Sequence, residues 1–205
     1  DLDWKKLIQH AYDRRISLSE HAHYATPGIH FNWSTAKGHP FAYHVYGTAI
    51  TRVTLDCIRG RYKVDYIRGV HDFGKSMNTL IDMGQMEGGI VQGIGWMTME
   101  EIMYDAKGVL KSNALSSYKI PDIYSVPAEI TILPLPVMDD NLAVFSSKAV
   151  GEPPLMYGIG TYFAIRDAVR AFHQGCSPSF DAPFTPEKVL MNLYGKVHHP
   201  NQTHS

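Results

Sequence analysis

One stretch decides the fold of this chain: residues 81–97, which read IDMGQMEGGIVQGIGWM. Its apolar composition predicts a long helix over 81–104, with Asp82 as a suitable N-cap. Gln85, three residues after Asp82, could complete a capping box. Five glycines fall within residues 84–95, and each interior helical glycine costs about 1 kcal/mol relative to alanine. The helix therefore needs a close backbone approach, either to another element or to a ligand.

The segments before and just after this helix predict strands and helices in mixed order. An amphipathic helix is expected over 3–15 and a long irregular connection over 17–40. Residues 41–68 are β-rich, with a hairpin turn at Arg59-Gly60. After the glycine-rich helix come a turn over 105–108 and a strand-like stretch that ends at Ile120.

The C-terminal part predicts a strand over 129–133, an apolar strand over 142–150 and a helix over 155–174. Gly175 stands where a C-cap belongs, and a last short helix is expected over 186–194. Because strands and helices do not alternate regularly, the predicted fold class is α+β, with mixed sheets and packed helices.

The composition excludes several classes of function. The chain has 205 residues and a net charge of −1, which gives no electrostatic argument for binding nucleic acid or an anionic membrane. No apolar run reaches the ~20 residues of a membrane helix. The two cysteines, Cys57 and Cys176, are too few for an iron–sulfur cluster or a structural zinc site. Two free thiols favour a cytoplasmic location.

Two sequence patterns suggest sites that their context disfavours. Residues 69–76, GVHDFGKS, match the phosphate-binding P-loop pattern, which makes a nucleotide-binding module the alternative of another class. The strand before it alternates polar and apolar residues, and residues 77–79 are a poor start to a helix. Among eleven histidines, the close pairs His21/His23 and His198/His199 lack metalloprotease spacing, so no metal ligands are predicted.

Glu152 and Gln85 each allow two interpretations. Glu152 stands between a glycine and two prolines, and partial desolvation there would suit a general base. Alternatively, it only stabilises the positive end of the following helix. The Gln85 amide could bind a heterocycle beside the glycines, although the pattern alone favours its role in a capping box.

Five blocks in order resemble the molybdenum-cofactor domain of the xanthine dehydrogenase and aldehyde oxidase family. They are HDFGKSMN (71–78), IDMGQMEGG (81–89), VQGIG (91–95), SYKIP (117–121) and SKAVGEPPL (147–155). The likeness runs from the first helix to about Gln174, and residues 4–24 are most similar to xanthine dehydrogenases. It implies that the whole chain, 1–205, is the C-terminal portion of a larger molybdopterin-binding domain, with 175–205 less diagnostic.

The resemblance also implies roles for particular residues. Glu152 corresponds to the family's catalytic base, and Gln85 corresponds to the glutamine that contacts the pterin. The segment before the glutamate lies against the cofactor in this family, which implicates Lys148, Ala149, Val150 and Gly151. A bulky cofactor would also explain the glycines of the helix.

The activity implied by the resemblance is hydroxylation of xanthine or hypoxanthine, with water as the oxygen source and Glu152 as the general base. Aldehydes or other N-heterocycles are the alternative substrates within the family. The expected cofactor is molybdenum-molybdopterin, in its plain form or as the cytosine dinucleotide. Iron–sulfur clusters and FAD are expected in the rest of an oligomeric cytoplasmic enzyme and not in this chain, which alone should be inactive.

Overall fold

The computed structural model describes residues 3–136 and 142–195, and the chain divides into two units, 1–42 and 43–205. The first unit contains helix α1 (Trp4–Asp13) and a small hairpin of strands β1 (His30–Asn32) and β2 (Lys37–His39). Asp3 begins α1, because its carboxylate accepts hydrogen bonds from the backbone N–H groups of Lys5 and Lys6. The predicted amphipathic helix is confirmed, whereas the connection predicted to be irregular contains the hairpin.

The second unit is built on a mixed three-stranded sheet. Strands β3 (Gly47–Asp56) and β4 (Arg61–His71) form an antiparallel hairpin, and β5 (Glu129–Pro134) pairs with β4 in parallel. Gly60 closes the hairpin at a φ of 66°, a left-handed conformation that glycine adopts without strain. The β-rich segment and the strand predicted at 129–133 are confirmed, and β4 runs on beyond the expected residue 68.

Helix α2 (Thr79–Thr98) is the glycine-rich helix. It begins two residues before and ends six residues before the bounds predicted from the sequence, 81–104. Its N-cap is Asn78, whose side chain accepts from the N–H of Ile81 at 3.2 Å. Asp82 instead lies in the first turn and accepts from the Ser76 hydroxyl at 2.5 Å. The capping-box role of Gln85 is therefore wrong, since a capping box places the glutamine three residues after the N-cap.

Helices α3 (Pro153–Phe172) and α4 (Pro186–Tyr194) complete the second unit. Both appear where the sequence predicts helices, with prolines in their first turns. The C-cap of α3 is His173 and not Gly175, because the His173 N–H bonds to the carbonyl of Val169. None of the helices in the described part of the chain is long and apolar enough to span a membrane.

Two predicted strands are absent from the described residues. The stretch ending at Ile120 contains turns and bends, after the turn at 105–108 that is confirmed. Residues 142–150 contain a single 3₁₀ turn, Val144–Ser146, in which Phe145 and Ser146 have φ of 53° and 56°. Left-handed residues interrupt the extended backbone that a strand requires, so this segment forms an anchored loop instead.

The hydrophobic core has two parts. One lies around α3 and α4 and includes Tyr162, Ile165, Val169, Phe184 and Val189. The other joins the sheet to α2 and includes Val64, Ile67, Phe73, Met86, Ile90, Ile94 and Ile132. With helices packed on a mixed sheet, the α+β class is confirmed.

The backbones of α2 and α3 lie in direct contact through two glycines. A Cβ atom on Gly93 would stand 3.0 Å from the Cα of Gly158, and a Cβ on Gly158 would stand 2.8 Å from the Cα of Gly93. Such distances leave no room for a side chain. Close approach to another element therefore explains part of the glycine pattern in α2.

Candidate functional site

The loop over 147–152 carries most of the predicted site residues and is fastened to the end of β4. Ser147 forms a bridge with Gly74, and the Lys148 N–H donates to the carbonyl of Phe73 at 2.9 Å. The Lys75 N–H returns a hydrogen bond to the carbonyl of Ser146, also at 2.9 Å. The two segments therefore hold each other through backbone bonds.

The ammonium group of Lys148 points into the protein. Its ammonium lies 2.6 Å from a carboxylate oxygen of Asp72 and 3.0 Å from the carbonyl oxygen of His44. The side chains of Lys148 and Asp72 are only 7% and 12% exposed, so this ion pair is well shielded from solvent. The predicted contact of Lys148 with the cofactor stays a prediction, and the ammonium is already engaged within the chain.

Ala149 is held by a buried histidine. The Nε2 of His71 lies 3.2 Å from the carbonyl oxygen of Ala149, and its Nδ1 lies 2.8 Å from the hydroxyl of Tyr157. Because a carbonyl oxygen can only accept, Nε2 carries the proton, and in the neutral ring Nδ1 accepts from Tyr157. Burial lowers the pKa of His71, against smaller opposing effects of its bond to Ala149 and of nearby Asp72.

The remaining residues of the loop lead to an exposed Glu152. Val150 packs against the core beneath α2, whereas Ala149 and Gly151 are exposed. Glu152 occupies the N-cap position of α3 but makes no capping hydrogen bond, and it is exposed. The partial desolvation of Glu152 expected from the sequence is not found, whereas its position at the positive end of α3 agrees with the alternative interpretation. The Glu152 carboxylate is instead presented outward, with no hydrogen bond to any residue that the structure describes.

Gln85 lies near this loop through the packing of α2. Gly89, one helical turn further along α2, would place a Cβ atom 2.8 Å from a side-chain carbon of Pro154 and 3.5 Å from the carbonyl oxygen of Gly151. Residues four apart occupy the same face of a helix, about 6 Å apart along its axis. Gln85 is exposed, so its amide and the Glu152 carboxylate are both offered to the outside in one region.

The residues present fit a bulky heterocyclic cofactor. A Cβ atom on Gly84, Gly88 or Gly151 would have no protein atom within 4 Å, so the backbone there is open to an outside group. An unengaged amide such as Gln85 supplies the donor and acceptor that a pterin requires. The glycines of α2 nevertheless have divided roles, since Gly93 contacts α3 and Gly95 lies under Pro121. The expectation that the cofactor accounts for all of them is wrong.

The segment over 69–76 does not form a phosphate-binding loop. Gly69 lies inside β4, paired with both neighbouring strands. The Gly74 N–H donates to the Asp72 carboxylate at 3.0 Å, and the Lys75 N–H is bonded to Ser146. Backbone N–H groups that already have partners cannot cradle phosphate oxygens.

The described residues contain no cluster of three or more histidine, cysteine, aspartate or glutamate side chains that could hold a metal ion. His21 and His23 lie in the first unit, and His198/His199 lie outside the described residues. The contacts of His71, Asp72 and Tyr157 were not predicted from the sequence. Their only signal was a His-Asp pair ending a strand, and the partners of that pair lie 76 to 86 residues away.

Comparison with known proteins identifies the family. The family described as "Molybdopterin cofactor-binding domain" matches residues 1–127. Aldehyde oxidase 1 of Oryctolagus cuniculus is 39% identical over 92% of this chain, and xanthine dehydrogenase/oxidase of Mus musculus is 40% identical over 91%. The chain spans 14% of the length of each of these relatives.

Solved structures agree with these sequence matches. Aldehyde oxidoreductase from Desulfovibrio desulfuricans has a TM-score of 0.62 and 30% identity, covering 78% of this chain and 16% of that one. Quinoline 2-oxidoreductase from Pseudomonas putida has the same TM-score and identity, covering 69% of this chain and 17% of that one. The aldehyde oxidase and the xanthine dehydrogenase match this chain equally well, so the greater similarity to xanthine dehydrogenases expected from residues 4–24 is not shown. The resemblance to the family is confirmed, and the chain belongs to the molybdopterin cofactor-binding domain family, together with these xanthine dehydrogenases and aldehyde oxidases.

Proposed function

We propose that this chain is part of a molybdenum hydroxylase that hydroxylates xanthine or hypoxanthine with water as the oxygen source. The observation that carries the proposal is the Glu152 carboxylate, which is exposed and unengaged on a backbone that is held at the start of α3. A general base must be able to reach the proton that it removes. Glu152 meets this requirement because its loop is anchored while its side chain is not.

The residues of the chain divide into those that hold the cofactor and those that hold the loop. When bound, molybdenum-molybdopterin supplies the two-electron redox chemistry of the hydroxylation. Gln85 would bind the pterin through its amide, and the exposed backbone at Ala149 and Gly151 would lie against the cofactor. Lys148 and Val150 support that backbone from the protein side through Asp72 and the core.

Glu152 would accept a proton at its carboxylate from the water-derived nucleophile. General-base assistance of this kind contributes about 10²–10⁴-fold to the rate. The fixed backbone on both sides of Glu152 limits the directions in which its side chain can reach.

The rest of the enzyme belongs to the same proposal. Because the chain spans 14% of its matched relatives, we propose that other segments or subunits carry the iron–sulfur clusters and FAD. The assembly would be oligomeric and cytoplasmic. Its cofactor would be the plain molybdopterin or the cytosine dinucleotide.

Aldehydes are the second candidate class of substrate. The observation that favours them is the 39% identity to an aldehyde oxidase, which is level with the 40% identity to a xanthine dehydrogenase. An N-heterocycle is the third candidate class of substrate, given the structural likeness to a quinoline 2-oxidoreductase.

The test is turnover per bound molybdenum in the enzyme that contains this chain, native against Glu152→Gln. Xanthine, hypoxanthine, benzaldehyde and quinoline are supplied in turn. Glu187→Gln is the matched control, because Glu187 is also exposed and lies in the first turn of a helix, α4. We expect a loss of about 10²-fold or more in Glu152→Gln and native turnover in the control.

Three other results would change the proposed role of Glu152 or the proposed substrate. Unchanged turnover in Glu152→Gln, with molybdenum retained, would overturn the general-base role. Turnover of benzaldehyde without turnover of xanthine or hypoxanthine would replace the purine substrate by an aldehyde. Loss of molybdenum in Glu152→Gln would assign Glu152 to cofactor retention instead of catalysis.

A further inference from the structure

We infer that His71 is a positioning residue for Glu152: through its two ring nitrogens it joins the backbone before Glu152 to the helix after it. This inference rests on the proposed function of Glu152 and extends it to a residue that lies outside the loop. His71 ends strand β4, whereas both groups that it contacts flank Glu152 in the sequence.

The two contacts of His71 lie on opposite sides of Glu152 in the sequence. On one side Nε2 donates to the carbonyl of Ala149, three residues before Glu152. On the other side Nδ1 accepts from the hydroxyl of Tyr157, five residues after Glu152 and on α3. A single rigid ring therefore fixes both ends of the segment that carries the carboxylate.

The surroundings of His71 leave the ring little freedom. Its side chain has no exposed surface, and its ring packs edge-on against Phe73 and Tyr157 at centroid distances of 4.8 and 5.8 Å. The hydroxyl of Tyr157 occupies the space beside Gly47, where a Cβ atom would clash with the Tyr157 ring at 2.9 Å. Because the ring is held in this way, the position of β4 also determines the position of the loop over 147–152.

The orientation of Glu152 depends on the contacts of His71, because no hydrogen bond of the Glu152 side chain orients it. Its carboxylate makes no hydrogen bond to any residue that the structure describes, and Gly151 beside it has open space around its backbone. The direction of the carboxylate is therefore set by the backbone anchored at Ala149 and by α3. A misplacement of about 1 Å at a reacting group can cost about 10²-fold in rate.

Two substitutions of His71 separate the two contacts. Glutamine places its amide nitrogen near the position of Nε2, so His71→Gln retains a donor for the Ala149 carbonyl. Asparagine places its amide near Nδ1, so His71→Asn retains the contact with Tyr157 and loses the one with Ala149. Arg68→Gln on the same strand is the control, since its pair with Glu129 is exposed.

The experiment measures kcat and KM, molybdenum content and the crystallographic position of the Glu152 Cα in the complete enzyme, with Glu152→Gln in parallel. We expect kcat to fall about 10- to 100-fold in His71→Asn with KM within about threefold. His71→Gln should lose less kcat than His71→Asn, because it loses only the contact with Tyr157 and α3 is also held against α2 at Gly93 and Gly158. The Glu152 Cα should be displaced or have a raised B-factor in His71→Asn alone.

The outcomes distinguish this inference from the proposed function. Native kcat and an undisplaced Glu152 in His71→Asn would overturn the inference, whatever Glu152→Gln shows. Losses of kcat in His71→Asn and His71→Gln with Glu152 undisplaced in both would also overturn it, because His71 would then not act through the position of Glu152. An active Glu152→Gln enzyme would overturn the proposed function, and the displacement of Glu152 would still decide the role of His71.

Discussion

At the scale of single residues, the buried ion pair between Lys148 and Asp72 matters more for stability than the exposed pairs do. Burying two charges costs free energy that only their mutual contact and further hydrogen bonds offset. Asp72 also accepts from the Gly74 N–H, and Lys148 also donates to His44. Removing one partner leaves the other charge buried without its counterion.

We therefore predict that Asp72→Asn lowers the free energy of unfolding by about 3–5 kcal/mol. Arg68→Gln, which removes an exposed pair with Glu129, should cost less than about 1 kcal/mol. Urea unfolding of this chain, followed by circular dichroism, measures both values. A loss in Asp72→Asn no larger than that in Arg68→Gln would contradict this prediction.

His71 also predicts how stability changes with pH. Its pKa in the folded chain is lower than the ordinary value of 6.5, mainly because the ring is buried. Below pH 6.5 the unfolded chain therefore binds more protons than the folded one, so stability falls as the pH falls toward the lowered pKa. At pH 7.5 the contribution of His71 to the stability of the folded chain is fully present.

The measurement for this pH effect compares native chain with His71→Gln. Unfolding free energies are taken from pH 7.5 down to pH 5, and the difference between the two proteins isolates His71 from the other histidines. We expect the native chain to lose more stability than His71→Gln over this range. Parallel curves for the two proteins would show that His71 does not titrate differently on folding.

At the scale of elements, the crossing of α2 and α3 is set by Gly93 and Gly158. Backbone contact between helices brings the start of α3 against α2 at Gly89. The exposed glycines of α2 have no such role, although the sequence presents all five in one run. Within one helix, some glycines therefore allow close packing against α3, and others leave the backbone exposed.

A matched pair of substitutions in α2 tests this division. Gly93→Ala should lower the free energy of unfolding by about 1–3 kcal/mol, because its methyl group meets the backbone of α3. Gly88→Ala should raise it by up to about 1 kcal/mol, because its methyl group meets nothing and alanine favours the helix. Thermal and urea unfolding measure both, and effects of equal sign would refute the assignment.

The sequence predicted elements well where local patterns dominate. Helices α1, α3 and α4 and strands β3 to β5 follow from periodicity, prolines and turn residues. The strand predicted at 142–150 is wrong because the conformations of Phe145 and Ser146 depend on the anchor provided by residues 73–75. The Gln85 cap is wrong because Asn78, earlier in the chain, already begins the helix.

The site was predictable from the sequence only in part. Glu152 and Gln85 stand in distinctive contexts, and the structure places both on exposed surface in the same region. The roles of His71 and Tyr157 could not be predicted, since they arise from contacts between residues 86 positions apart. Periodicity carries no information about such pairs.

At the scale of the whole molecule, the second unit contains the buried core. Residues 3–42 include no buried residue, whereas the core residues, from Val64 to Leu193, all lie in the second unit. Burial of apolar surface is the main source of folding free energy. Among the residues that the structure describes, the buried apolar side chains that stabilise the second unit are therefore its own.

We predict that a chain beginning at Tyr43 unfolds with a free energy within about 1 kcal/mol of that of the 205-residue chain. Urea unfolding of both forms, followed by far-UV circular dichroism, measures the difference. A loss of several kcal/mol on removal of residues 1–42 would show that the second unit requires the first.

The glycine contact between α2 and α3 has a consequence for protein engineering. The spacing between Gln85 and Glu152 is set by two backbones that already touch, so substitutions of side chains around them cannot shorten it. Widening it would require a larger residue at Gly93 or Gly158, at the expense of folding. Attempts to change the substrate preference of an enzyme that contains this chain should therefore leave this crossing unchanged and randomise positions elsewhere in the enzyme.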